Sequence, residues 1–200
     1  MKLRITNRLF IGAMLALIIA AMPSAARAAY VLTLEETAGN VVATGSGSFD
    51  LAALTVNSLG NVGFGADVHA AIAQLYAGSS STVDIYQGVS GPTNFGSGAL
   101  FGVNSDSGSF AGVQGVGGLL FVPGGYTSGT ILSDSATWTD ATLSSLGVTS
   151  GTYTYTWGSG ATADSFTIDA MTGAVPEPSS WAMLVAGVGM LVAFCKRRGL

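Results

Sequence analysis

Apolar and polar residues alternate along several short segments of the chain. The clearest is residues 152–157, where Tyr153, Tyr155 and Trp157 share one face and three threonines share the other. A period of two residues predicts a β-strand with one buried face. Residues 165–169 alternate again after a loop that begins at 158–160. The two segments are therefore predicted to pair as antiparallel strands.

Seven other segments have strand patterns. They are residues 30–35, 41–49, 82–86, 98–103, 119–122, 129–132 and 136–139. Residues 119–122 are continuously apolar, which predicts burial on both faces. Gly39 and Asn40 are predicted to turn the first of these strands into the second. Nine short strands with glycine-rich turns predict an all-β body, folded as an antiparallel β-sandwich or jelly-roll.

Two segments could form helices instead of strands. The first has helical spacing of its apolar residues and a glycine, Gly78, that could end the helix. Its apolar positions are Val68, Ala71, Ile72, Leu75 and Tyr76. The same residues could serve a strand, and the sequence leaves both alternatives open. A second, shorter helix could begin at Asp140 or Thr142 and end before Gly147.

The beginning of the chain has the three parts of a secretory signal. Basic residues precede an apolar segment, residues 9–22, and Pro23 then interrupts it. Ala26 and Ala28 flank Arg27 in the small-x-small pattern that signal peptidase recognises. We predict a signal helix within residues 1–28, export by the Sec machinery, and a mature protein that begins at Ala29. The alternative is an uncleaved N-terminal anchor.

A second uncharged segment, residues 181–195, lies near the other end. A helix of this length spans roughly 22 Å, which is short for a hydrocarbon core of about 30 Å. Trp181 suits one membrane interface, and the basic residues that follow suit the cytoplasmic one. These are Lys196, Arg197 and Arg198. We predict a transmembrane helix, transiently in the inner membrane, with the body on the periplasmic side.

Residues 29–174 form the predicted body, a single domain. It contains ten acidic residues, His69, and no lysine or arginine. Nucleic acid is excluded as a partner, because phosphate binding needs basic side chains. The only cysteine, Cys195, lies outside the body, so no disulfide can stabilise it.

Candidate chemistry in the body is sparse. His69 is the only histidine, so a zinc site of the usual Cys and His ligands is excluded. It is also the only residue that could serve as the base of a Ser-His-Asp triad. The adjacent Glu35 and Glu36 should point to opposite faces of a strand. Residues 104–108 have oxygen ligands at alternate positions as in a calcium loop, but Gly115 stands where an EF-hand has glutamate, and a turn is favoured. We therefore predict no enzyme activity, no metal and no cofactor.

A Pro-Glu-Pro triplet precedes the second apolar segment: Pro176, Glu177 and Pro178. The prolines favour a stiff, extended strip that a processing enzyme could hold. The triplet, the apolar segment from Trp181 and the basic residues after it together resemble the PEP-CTERM sorting signal, which covers residues 175–200. That tail is also labelled an ice-binding-protein C-terminal domain. The alternative is an ordinary tail anchor.

The resemblance implies an exosortase partner, which cleaves near the triplet and releases the protein toward the cell surface. Together with the sparse candidate chemistry of the body, it favours a non-enzymatic cell-surface or extracellular-matrix protein, associated with exopolysaccharide or biofilm. The alternative is a lectin-like module that presents Tyr86, Tyr126 or Trp138 to a sugar. Ice binding is less favoured, because the threonines of residues 152–156 supply only one short row.

Overall fold

The structure is a computed structural model that describes residues 29–79 and 82–173. These residues form thirteen β-strands and two short 3-10 helices, Ala70–Ile72 and Gly160–Thr162. The strands are β1 (Ala29–Thr37), β2 (Asn40–Gly47), β3 (Thr55–Asn61), β4 (Asp67–His69), β5 (Gln74–Ala77), β6 (Val83–Gln87), β7 (Leu100–Gly102), β8 (Ser105–Gly108), β9 (Ala111–Gln114), β10 (Leu119–Pro123), β11 (Leu132–Trp138), β12 (Gly151–Trp157) and β13 (Asp164–Met171). The all-β prediction is confirmed.

The strands form two sheets. The first has six strands in the order β12-β13-β1-β2-β11-β8, and the second has seven in the order β3-β6-β10-β9-β5-β4-β7. Within residues 29–79 and 82–173, no helix is long and apolar enough to cross a membrane. The predicted signal helix and the predicted transmembrane helix at 181–195 lie outside the described residues.

Both sheets contribute to one hydrophobic core. Leu32 and Phe166 come from the six-stranded sheet, and Leu75 and Leu120 come from the seven-stranded sheet; all four are essentially inaccessible to solvent. Phe49 lies among them, with its ring stacked on those of Tyr30 and Phe166 at centroid distances of 4.8 and 5.9 Å. The body thus buries the inner faces of its two sheets against each other, as a sandwich does.

One strand pairing departs from the antiparallel prediction. β1 and β13 are parallel neighbours, with Ala29 opposite Ser165 and Glu35 opposite Met171. A parallel pair needs a long connection, and here that connection is nearly the whole body. Local alternation in the sequence carries no signal of such a pairing. The predicted pairing of residues 152–157 with 165–169 is confirmed as the antiparallel pair β12–β13.

The burial patterns of two predicted strands are confirmed. In β12, Tyr155 and Trp157 are buried, Tyr153 is half-buried, and the three threonines are exposed. In β10, Leu120 and Val122 belong to the central core, whereas Phe121 lies in a second cluster on the other face of its sheet. That second cluster also contains Tyr76, Val83, Ile85 and Phe110, and it packs against Phe64.

Of the two alternatives that the sequence left open between Val68 and Tyr76, the structure has the strand and not the helix. The segment forms β4, a single 3-10 turn and β5, which pair with each other around Ala73. Ala73 has a left-handed backbone with φ of 54°, so the chain reverses where a helix would continue. Val68 and Leu75 are both buried as strand partners, which is the alternative the sequence left open.

Other boundaries also differ from the predictions. The predicted strands 129–132 and 136–139 are replaced by one strand, β11. The second candidate helix is a single turn, in which the Leu146 N–H donates to Thr142 O at 3.1 Å. The first hairpin turns at Ala38 and Gly39, both with positive φ, so Asn40 already belongs to β2. Residues 105–108 form β8 where a turn was favoured.

Candidate functional site

The predicted sorting residues and the signal-peptidase residues Ala26 and Ala28 lie outside the described residues; Ala29 begins β1. The described body shows where each end of the chain leaves it. Because β1 and β13 are parallel, Ala29 and Met171 lie at opposite ends of the pair, about 20 Å apart along the strands. Gly173 packs against the backbone carbonyl of Glu36, where any side chain would collide. The segment after residue 173 therefore departs beside the end of β1.

The aromatic residues proposed for sugar stacking are not available. Trp138 is 2% exposed and its indole donates to Phe101 O at 3.2 Å. The Tyr126 hydroxyl accepts from Phe49 N at 2.8 Å and donates to Thr130 O at 2.7 Å. Tyr86 is half-buried against the central core. The structure thus offers no support for a lectin site built on these three rings.

His69 lies at the end of β4, half-buried and opposite Gln74. In the part of the chain that the structure describes, it makes no hydrogen bond to a serine or threonine, and no group of three metal-ligating side chains occurs. Glu35 and Glu36 do point to opposite faces; Glu36 accepts from the Leu143 N–H at 2.5 Å. Asn104 serves as a structural acceptor for the Thr139 N–H at 2.9 Å.

A polar row crosses the seven-stranded sheet beside His69. Pairing across the sheet places its residues in the order Leu100, His69, Gln74, Gln114, Leu119, Gln87 and Thr55. The chain contains only three glutamines and one histidine, and all four lie in this row. Strand order therefore gathers side chains that are far apart in the sequence.

Hydrogen bonds fix the orientation of the Gln74 and Gln114 side-chain amides in this row. The Gln114 amide donates to Gln74 Oε1 at 2.8 Å, and the Gln74 amide donates to Asp67 Oδ1 at 2.7 Å. Gln74 is buried, and burial raises the pKa of the Asp67 carboxyl to about 6, although the Gln74 hydrogen bond and the nearby His69 lower it in part. Gln114 is thereby held with its carbonyl oxygen free to accept.

A cleft of about 490 Å³ adjoins the row at Gln87. Its walls are the loop after β6 and the turn between β9 and β10. The residues that line it are Gln87, Gly88, Val89, Ser90, Gly91, Thr93, Gly115, Gly117 and Gly118. The first wall is fixed to the six-stranded sheet, because Ser90 and Thr156 exchange two backbone hydrogen bonds of 2.8–2.9 Å. The lining contains no charged side chain.

The outer face of the six-stranded sheet is covered by hydroxyl groups. They belong to Thr33, Thr44, Ser46, Ser105, Ser107, Ser133, Ser135, Thr137, Thr152, Thr154, Thr156, Ser165 and Thr167. Some bond to each other across strands, as Ser107 and Ser135 do at 2.9 Å. Twisted sheets do not hold such rows in one plane. The structure therefore gives no support for an ice-binding face, although the hydroxyl array is larger than the sequence indicated.

One carboxylate is buried within the core itself. Asp134 is 4% exposed, accepts a short hydrogen bond from the Tyr30 hydroxyl, and leaves its Oδ1 without a partner of good geometry. Burial raises the pKa of Asp134 to about 6, and hydrogen bonding from Tyr30 and Gly45 offsets part of that rise. Burial, followed by the charge of Asp134, raises the pKa of Tyr30 above its usual value. The pair lies away from any cleft that could admit a substrate.

Comparison with known families identifies the segment that follows the body. Residues 174–198 match the model of the PEP-CTERM protein-sorting motif. The chain therefore carries a PEP-CTERM sorting signal, which implies export, passage through the membrane to the cell surface, and exosortase as the processing partner. No curated protein and no solved structure matched the chain.

Sequence reasoning found the sorting signal but missed the polar row and the cleft. The sorting signal is continuous in sequence and could be read directly. The row takes one residue from each of the seven strands of its sheet, and the cleft combines two separate glycine-rich loops. The one usable signal was that all three glutamines and the only histidine fall between residues 69 and 114.

Proposed function

We propose that this protein is a non-enzymatic component of the bacterial cell surface or extracellular matrix, delivered there by its sorting signal and associated with exopolysaccharide or biofilm. The observation that carries the proposal is the PEP-CTERM motif, which begins one residue after the last described residue, Gly173. In this account signal peptidase and the Sec machinery act first, the body is transiently periplasmic on a membrane anchor, and exosortase acts last.

We propose that the body has no catalytic function. In support, two buried carboxylates accept hydrogen bonds from backbone N–H groups of nearby loops. Asp84 accepts from the backbone N–H groups of Gly60 and Gly125 at 2.9 and 2.7 Å. Asp164 accepts from those of Asp50 and Ser165 at 2.6 and 2.7 Å. Asp84 and Asp164 thus fasten loops to strands, which is a structural use of a buried carboxylate.

Glu177→Ala and the double change Pro176→Ala with Pro178→Ala test the sorting step. We expect full-length variants to remain in the inner-membrane fraction of the native host, because the enzyme reads the strip and not the apolar helix. Ser180→Ala, between the triplet and the apolar segment, is the matched control and should be sorted normally. If both triplet variants reach the surface at normal size, the segment is a plain tail anchor.

The second candidate function, a carbohydrate-binding surface module, is favoured by one observation: an uncharged polar cleft beside the glutamine row. It involves none of the aromatic residues that the sequence suggested.

A further inference from the structure

The cleft beside Gln87 is built to keep its shape. A Cβ atom at Gly91 would enter the Tyr155 ring, one at Gly115 would meet the carbonyl of Pro92, and one at Gly118 would meet the carbonyl of Val89. Glycine is thus required where the two walls touch each other and the core. The Gly88 and Val89 N–H groups both donate to Gly118 O at 3.1 Å. Preformed walls reduce the ordering cost of binding.

The groups that face the cleft are neutral donors and acceptors. The Ser90 and Thr93 hydroxyls make no hydrogen bond to any described residue, and neither do the backbone N–H groups of Gly91 and Gly117. Gln87 adds a side-chain amide; its Oε1 accepts from the Asn57 amide at 3.5 Å, and its N–H groups remain able to donate. The volume lies within the range of about 300–1,000 Å³ typical of ligand sites.

This lining favours a neutral ligand. An anion would find no basic side chain here, because residues 29–174 contain no lysine or arginine. A metal cation would need carboxylates, and none lines the cleft. A purely apolar ligand would leave the free hydroxyls and amides unpaired. A neutral molecule with many hydroxyl groups satisfies all of them.

The glutamine row extends the same chemistry beyond the cleft. Gln87 and Gln114 flank Leu119 on neighbouring strands, so their backbones lie about 10 Å apart with an apolar residue between them. A sugar ring offers hydroxyl groups at its rim and C–H groups on its face. The hydroxyls suit the two glutamine amides, and the C–H face suits the leucine between them. The buried Gln74 fixes the Gln114 amide and serves as a positioning residue.

We propose that Gln87, Gln114, Leu119 and the adjoining cleft bind sugar residues of a neutral polysaccharide. Ser90 in the cleft wall pairs with Thr156, which lies beside Ser165 and Ala29 in the six-stranded sheet. The cleft is therefore at the end of the body opposite to Gly173. A body held by its sorting segment would therefore present the site away from the membrane. The inference rests on the second candidate function, the carbohydrate-binding module, whose site and ligand class it specifies; it does not depend on the sorting function.

The test uses protein recovered from the host surface and two kinds of probe. Soluble neutral gluco-, manno- and galacto-oligosaccharides are titrated by calorimetry, and an insoluble neutral glucan is used in a pull-down; polygalacturonate is the anionic comparison. We expect at least one neutral sugar to bind and polygalacturonate not to bind. Binding to the oligosaccharides would show that a short soluble sugar is enough for recognition. Binding to the glucan alone would show that the site recognises the polymer.

Size-conserving variants locate the site. Gln87→Met and Thr93→Val should each weaken binding at least tenfold, because each removes a polar partner without opening a cavity. Ser107→Ala, on the hydroxyl face of the other sheet, is the control and should bind as the unchanged protein does. Equal thermal unfolding of all four proteins establishes that loss of binding is not loss of fold.

Three results would overturn the proposal. They are failure of every neutral sugar to bind, binding of polygalacturonate alone, and neutral-sugar binding that Gln87→Met and Thr93→Val leave unchanged. All variants should still be sorted to the surface, because their sorting motif is intact. Failure of the cleft is thus distinguishable from failure of the sorting function.

Discussion

The buried Asp134 predicts that this protein is more stable in mild acid than at neutral pH. Its pKa is about 6 in the folded protein against 3.8 for the ordinary side chain, so the folded state holds the proton more tightly. Between these values the folded state binds more protons than the unfolded state, and stability falls as the pH rises. The contribution is complete below about pH 4 and is lost above about pH 6.

The magnitude follows from the shift. A difference of about two pKa units corresponds to about 3 kcal/mol at roughly 1.4 kcal/mol per unit. Asp134 is almost fully buried, so solvent screening does not reduce this figure much. Asp67, whose pKa is also raised to about 6, contributes in the same direction. No lysine or arginine lies in the body to offset either charge.

Asp134→Asn isolates the contribution of one group. The amide is neutral at every pH and can still accept from the Tyr30 hydroxyl. We expect the stability of the variant relative to the unchanged protein to increase by about 2.5 kcal/mol between pH 4 and pH 7, because part of the total of about 3 kcal/mol is already lost at pH 4. Any constant cost of the substitution cancels in this comparison, as does the contribution of Asp67.

Urea unfolding followed by circular dichroism at pH 4, 5, 6 and 7 provides the measurement. Asp106→Asn is the control, because Asp106 is exposed on the edge strand β8 and should leave the pH dependence as it is. A stability difference for Asp134→Asn that is constant across the range would refute the reasoning. So would an unchanged protein whose stability rises from pH 4 to pH 7.

Three further substitutions test the packing and the turns. Gly91→Ala should destabilise the body by about 1–3 kcal/mol in urea unfolding, since its Cβ would enter the Tyr155 ring, and a neutral effect would contradict the close approach. Phe49→Ala should cost about 3–5 kcal/mol, because Phe49 packs on Tyr30, Tyr126, Trp157 and Phe166; a loss below about 1 kcal/mol would show that the ring is not central. Ala38→Gly should raise the melting temperature slightly, since it relieves a positive φ of 51° worth about 1–2 kcal/mol, and a lower melting temperature would argue against this turn geometry.

The strands with alternating burial were predicted from the sequence, as were the apolar strands β6 and β10, whereas β5, β8 and β3 carried no such pattern. β1, β2, β12 and β13 each show alternate burial and were predicted close to their observed ranges. β5 is buried at all four positions, and β8 is exposed at all four, so neither has a period to detect. β3 is exposed at most positions and interrupted by register shifts.

Contacts between residues far apart in the sequence could not be predicted either. The parallel contact of β1 with β13 and the buried contact of Tyr30 with Asp134, 104 residues apart, depend on which strands become neighbours. The same is true of the row that joins His69 to three glutamines. A residue such as Gln87 has no local pattern to mark it, because its role arises from Leu119 and Gln114 beside it.

Intact mass analysis of protein recovered from the cell surface tests whether the segment after Gly173 is a sorting signal that is removed. We expect a species that begins at Ala29 and ends before Trp181, lacking the apolar segment and the basic residues after it. Recovery of protein that still extends through Lys196, Arg197 and Arg198 would contradict it.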